Sequence, residues 1–317
     1  MLHNLPPEIL HSILLNLPIE SNLAQTGFSC RRIGRLLLND GSFAIRHTRM
    51  TFDPTKFSTE TSTWSQLPFP YKAAVLSLLS VTNAIPLTIP CSHALAKRLI
   101  ACILKNCKSY SPNWNSLLSW CCCGGHEEAV QLILENRKTD RLDVSSAFRN
   151  ACGVARKSSL ALLLLHDSRF DPNDRSCVLG FMWAARLGYE DVVAKLLTFP
   201  EVDPGIPDNY ALEWSSKMGH VGVVKLLLRD SRTDVAVNQH CALRWAAEAG
   251  RTSVVKLLLL DGRSDPFACG GYALEWAIRN QHEEVVQALL ADKRISGSTR
   301  EHFTREWCRR FIAHNAF

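Results

Sequence analysis

Tryptophan recurs along this chain at Trp183, Trp214, Trp245, Trp276 and Trp307, each 31 positions after the one before. A fixed period of that size means that one small unit has been copied, which commits the chain to burying each copy's apolar face against its neighbours. Other tracks keep the same beat. Aligned segments begin GGHEEAVQLIL at Gly124, ARKSSLALLLL at Ala155, LGYEDVVAKLL at Leu187, MGHVGVVKLLL at Met218, AGRTSVVKLLL at Ala249 and NQHEEVVQALL at Asn280. The glycine position therefore reads Gly125, Arg156, Gly188, Gly219, Gly250, Gln281. Fifteen residues later stand Asp140, Asp171, Asp203, Asp234, Asp265 and Ser296; five earlier stand Trp120, Ala151 and the tryptophans from Trp183 to Trp276. A single extra residue between Asp171 and Trp183 falls in a loop, where insertions cost least.

Each unit reads as two short helices. The first carries A-L-x-W-A-A (Ala242, Leu243, Trp245, Ala246, Ala247), whose small residues let a neighbouring helix approach. The glycine then ends it in a left-handed cap. The second carries VVxxLLL (Val254, Val255, Leu257, Leu258, Leu259), a continuous apolar stripe, and is followed by a turn of Asp, often Pro, with Gly or Asn. One such hairpin cannot bury its own stripe, so stability comes from stacked neighbours and the tryptophans are expected in the core between repeats. Stacking of a ligand or base on them is the weaker alternative, because an aromatic in strict repeat register usually packs.

These residues resemble the ankyrin repeat family, whose T-P-L-H-x-A-A-x-x-G-H-x-x-V-V-x-L-L-L pattern is matched by C-A-L-R-W-A-A-E-A-G-R-T-S-V-V-K-L-L-L at 241–259. The resemblance covers 112–316 and implies an all-α solenoid of helical repeats with short turns. Its period is shorter than the family's usual value of about 33. The family's Thr and His are replaced by Tyr210 and Glu213, by Cys241 and Arg244, and by Tyr272 and Glu275, so tryptophan packing is the expected substitute for their hydrogen bonds. Trp307, in TREWCRRFIAHN, continues the register into a capping half-repeat, with Arg309 and Arg310 supplying a polar outer face. Upstream, YKAAVLSLLS (71–80) and SHALAKRLIACILKNC (92–107) read as the two helices of a degenerate repeat spanning 71–111.

The first 47 residues follow another pattern. Leu5-Pro6-Pro7-Glu8 places prolines in a first helical turn, Ile9, Leu10, Ile13, Leu14 and Leu17 form an apolar face, and Pro18 ends it. Ser21 caps a second helix, and Cys30, Ile33, Leu36 and Leu37 line a third that stops at Asn39-Asp40-Gly41. Short helices this apolar make a poor independent core, and a partner surface would complete it. The arrangement L-P-P-E-I-L…I-L…L-P…L…C-R-R-I over 5–46 resembles the F-box motif, a three-helix module. The resemblance implies binding to a Skp-type adaptor of a cullin ubiquitin ligase through Leu5, Pro6, Ile9, Leu10, Ile13 and Leu14, supported by Cys30 and Ile33. On their apolar faces alone, the same helices would equally well cap the repeats. A Ser/Thr/Pro-rich stretch within 48–70 reads as a linker.

No catalytic pattern emerges. His126, His220 and His282 recur in the repeat's register and are expected to orient helix starts, and Glu127-Glu128 and Glu283-Glu284 suit the positive ends of helix dipoles. No phosphate loop, nucleophile elbow or H-E-x-x-H is present. The 12 cysteines lack zinc-ligand spacing and read as reduced small hydrophobes, so no metal or cofactor is expected. A net charge of +6 is mild and scattered, which argues against nucleic acid; the absence of a signal sequence or apolar span argues against membrane and for an intracellular, cytoplasmic or nuclear setting.

What remains is binding. Residues before each glycine and at the turn tips are free of packing: Arg186, Leu187, Lys217, Met218, Glu248, Ala249, Arg279 and Asn280, then Asp208, Asn209, Gln239 and His240. The ankyrin resemblance implies that they line a concave surface that grips a target protein, and their alternating charge suggests a partner of mixed character. The overall expectation is a noncatalytic substrate receptor of a ubiquitin ligase, with a plain interaction scaffold as the alternative.

Overall fold

The computed structural model describes Ala44, residues 69–81, Ile85, and residues 91–105, 112–136, 139 and 141–315. The described residues form helices and turns, with no strand among them. Two compact units divide the chain, Met1–Leu163 with Asp167–Arg169, and Leu164–His166 with Phe170–Phe317.

In the first unit, α1 (Phe69–Val81) and α2 (His93–Lys105) form a hairpin, followed by α3 (Trp114–Cys123) and α4 (Glu127–Leu134), then α5 (Val144–Asn150). Helix α1 packs beside α3 and α2 beside α4, so the hairpin upstream of residue 112 stacks in the same way as the clearer repeat after it. Asn113 caps α3 by accepting from the Asn115 and Ser116 amides, and Asp143 caps α5 by accepting from Ser146. Where Arg156 stands in place of the repeat's capping glycine, α5 runs into a π-helical turn, Ala151–Ala155, and Arg156 itself takes the left-handed conformation at φ 54°. The next helix is α6 (Ser158–Leu165).

The second unit shows the repeat most regularly. First helices are α7 (Arg175–Leu187), α9 (Tyr210–Met218), α11 (Val237–Glu248) and α13 (Ala268–Arg279); second helices are α8 (Glu190–Leu197), α10 (Val221–Arg229), α12 (Thr252–Asp261) and α14 (Glu283–Leu290). First helices pack in one row and second helices in another. The long α15 (Gly297–Asn315) lies against α13 and has no second helix after it among the described residues.

The period of 31 is a period of burial. Val192, Val223, Val254 and Val285 are fully buried, as are Val193, Val224, Val255 and Val286, and Leu196, Leu227, Leu258 and Leu289. Each such side chain contributes about 1.5–3 kcal/mol when taken from water. On the first helices Ala184-Ala185, Ser215-Ser216 and Ala246-Ala247 are buried, and their small volume sets the close approach of the row. Gly188, Gly219 and Gly250 end their helices at φ 78°, 87° and 69°, as the sequence requires.

Candidate functional site

The sequence places the repeat tryptophans in the core; among the described ones the structure does so only for Trp120. Trp183, Trp214, Trp245 and Trp276 are half-buried, with part of each ring in solvent. Periodicity shows that these residues share an environment, but not which side of the helix row they face. The buried contacts between first helices are made by small residues one and two positions further on, which leaves the indoles at the margin of the core.

Cations cover them. The Arg186 guanidinium lies 5.3 Å from the Trp183 ring and 4.2 Å from Trp214, and the Lys217 ammonium lies 5.3 Å from Trp214 and 4.8 Å from Trp245. Trp214 and Trp245 meet edge to face at 5.6 Å. The row continues with Arg244 4.9 Å from the Tyr272 ring and Arg279 4.8 Å from Trp276. Each contact is worth about 0.5–1 kcal/mol at a partly exposed site and holds a long cationic side chain in place.

The other residues singled out from the sequence divide. Leu187, Lys217, Met218, Glu248 and Ala249 are half-buried beside this row, and Asn280 is exposed. Their backbones are not idle. The Arg186 carbonyl accepts from His220 Nε2 at 2.9 Å, the Lys217 carbonyl from Arg251 Nε at 3.0 Å, and the Glu248 carbonyl from His282 Nε2 at 3.0 Å and Asn280 Nδ2 at 2.8 Å. The histidines expected to orient their own helices make no such cap; His220 and His282 tie each repeat to the one before. His126 instead meets His93, Nδ1 to Nδ1, at 2.8 Å, and burial pushes its pKa down to about 4.

At the turn before α9, and in the first residues of α11 where the chain kinks and is not helical, the backbone is left-handed. Asp208 and Asn209, then Asn238, Gln239 and His240, have φ of 46°, 54°, 52°, 57° and 57°. Asp208 and Gln239 are exposed, and His240 is half-buried with Nδ1 accepting from the Asp265 amide at 3.4 Å. Asn209 corrects the sequence reading: it is buried and donates to the Asp234 carbonyl at 2.5 Å, so it braces two turns rather than facing a partner. Where Thr and His were missing, a different network stands: Asn238 Nδ2 donates to Glu213 Oε1 at 2.9 Å, and Arg244 donates to the Asn238 carbonyl at 3.2 Å. The N-terminal candidates Leu5, Pro6, Ile9, Leu10, Ile13, Leu14, Cys30 and Ile33 lie outside the described residues.

Sequence reasoning missed one repeated device. Arg169, Arg232, Arg263 and Arg294 each bond an aspartate two residues earlier and reach carbonyls 30 and 35 residues back. The signal was Asp-x-Arg recurring at the repeat period, in Asp230-Ser-Arg232, Asp261-Gly-Arg263 and Asp292-Lys-Arg294.

Among the described residues no group of three or more His, Cys, Asp or Glu could hold a metal ion. Burial raises the Cys122 thiol, and raises Cys91 to about 11, the reverse of what a nucleophilic thiol requires. The second unit instead offers stacked two-helix units of 31 residues, left-handed glycine caps and a decorated first-helix face.

Residues 181–268 match the family model of ankyrin repeats, in three copies. These ankyrin repeats span α7 to α12 and include Trp183, Trp214 and Trp245 with both cations between them. No curated protein matches the chain. Ankyrin repeats indicate a role in protein interaction and imply protein partners. No described helix is long and apolar enough to cross a membrane.

Proposed function

We propose that the protein is a substrate-recognition subunit of a Skp–cullin–F-box ubiquitin ligase, in which the ankyrin repeats hold a target protein and the N-terminal segment docks on the adaptor. The repeat face carries the first half of this reading: half-buried tryptophans with fixed cations over them form a rigid, amphipathic surface of the kind that anchors protein interfaces. The second half rests on the L-P-P-E-I-L pattern and the residues that follow it. On this reading residues 1–47 are the adaptor-binding module, 48–70 a linker, 71–111 a degenerate repeat and 112–317 the ankyrin array with its capping half-repeat. The chain performs no chemistry itself; other subunits transfer ubiquitin.

Co-purification with a Skp-type adaptor tests the adaptor half. The natural chain should bind and the combined Leu5→Ala, Pro6→Ala, Ile9→Ala variant should not, while the circular dichroism of the repeats stays unchanged. Failure of the natural chain to bind would overturn the ligase role. A photo-crosslinking residue at Met218 tests the other half in cells: a crosslinked protein is expected, and none would overturn the repeat face as a protein-binding surface.

A further inference from the structure

The alternating charges of the repeat face look mixed in sequence, but the structure separates them. Glu213 is buried and accepts from Asn238, and Glu248 lies 3.5 Å from the Tyr272 hydroxyl. Arg186 and Lys217 are different. Among the described residues neither side chain has a hydrogen-bond or ion-pair partner; each is held only by the indoles it covers. A cation packed on tryptophan has lost part of its water and its freedom, yet keeps its N–H groups to donate outward. The two cations alternate with Trp183, Trp214 and Trp245, one from each of two neighbouring first helices.

We propose that this row is a subsite for an extended acidic peptide, with one carboxylate on Arg186 and a second on Lys217. The proposal deepens the reading of the repeats as a protein-binding surface and rests on it. Packed helices stand about 8–10 Å apart. In a polyproline-type extended peptide, which rises about 3.1 Å per residue with three residues per turn, every third side chain lies on the same face about 9 Å from the last. Acidic residues at positions i and i+3 therefore match the spacing of the helices, while the residues between them rest on the indole edges. A single-stranded nucleic acid fits less well. Its bases need open ring faces, and here cations cover them; its continuous phosphates would also meet Glu275, exposed on the first helix α13.

The test is fluorescence anisotropy with the full chain and three labelled probes: a peptide of repeated Glu-Pro-Pro, its Gln-Pro-Pro counterpart and an oligothymidylate of similar length. The acidic peptide should bind best, and raising salt from about 50 to about 500 mM should weaken it. Arg186→Gln and Lys217→Gln should each weaken it about two- to fivefold. Lys225→Gln, the same charge change on the exposed side of α10, should leave it unaltered, with matching thermal melts for all variants. Equal binding of the Gln-Pro-Pro peptide, equal binding by all variants, or tighter binding of the oligothymidylate would overturn the acidic subsite. So would no peptide binding at all. The wider reading then stands or falls separately on the crosslink at Met218.

Discussion

A single backbone position shows how the repeat is tuned. Gly125, Gly188, Gly219 and Gly250 occupy the left-handed conformation at the first-helix C-terminus, but Arg156 and Gln281 sit there at φ 54° and 62°. A side chain in that conformation costs about 1–2 kcal/mol, partly offset because glycine loosens the unfolded chain by about 0.4–1 kcal/mol. Arg156→Gly and Gln281→Gly should therefore each stabilise the protein by about 0.5–1 kcal/mol, seen as a higher urea midpoint with unchanged slope. Gly188→Ala should act in the opposite sense and more strongly, because a Cβ there would lie 2.5 Å from His220 Nδ1, on the ring that ties the repeat to its predecessor.

Between elements, the arginine clamp ties each turn to carbonyls of the repeat before it. Arg263 donates to the Leu228 carbonyl at 2.6 Å and the Thr233 carbonyl at 3.3 Å, while Asp261 holds its guanidinium in plane. Arg263→Ala should cost about 1.5–3 kcal/mol by urea unfolding, the range for hydrogen bonds to a charged group. Arg263→Lys should recover only part of it, since an ammonium cannot serve the aspartate and two separated carbonyls as a fork does. This device and the tryptophan row mark where the sequence ceased to be readable. Val254, Val255 and Leu258 announce their burial through helical spacing, and the glycines announce their caps through conformation. An arginine in a polar turn looks like a solvated charge until its acceptors 30 and 35 residues earlier are known. Likewise, the period at Trp214 says nothing of which way the indole faces, so the cation over it could not be anticipated.

For the whole molecule the titrating groups set an acid limit. Burial, with help from His93 and Lys157, holds His126 at about 4, below its ordinary 6.5. Between those values the unfolded chain binds the proton and the folded one does not, so stability should fall as pH drops from about 6.5 to about 4. Asp167, Asp230, Asp261 and Asp292 are held below the usual carboxylate value by hydrogen bonds from their arginines, so a second loss should follow below pH 3.8 as the clamps protonate. Thermal melts across pH 3–8 should show both phases, and His126→Gln should remove the first alone. The clamp also gives the stack a direction. Every repeat that has one lends an arginine backwards and offers carbonyls forwards, like couplings with a hook at one end and an eye at the other. At Leu290 and Ile295, where the next hook would engage, Arg300 of α15 already donates to both carbonyls, at 2.8 and 3.3 Å. A duplicated 31-residue cassette should therefore slot in between existing repeats with hook and eye both engaged, whereas one joined after Ile295 would first have to prise Arg300 from the eye it fills.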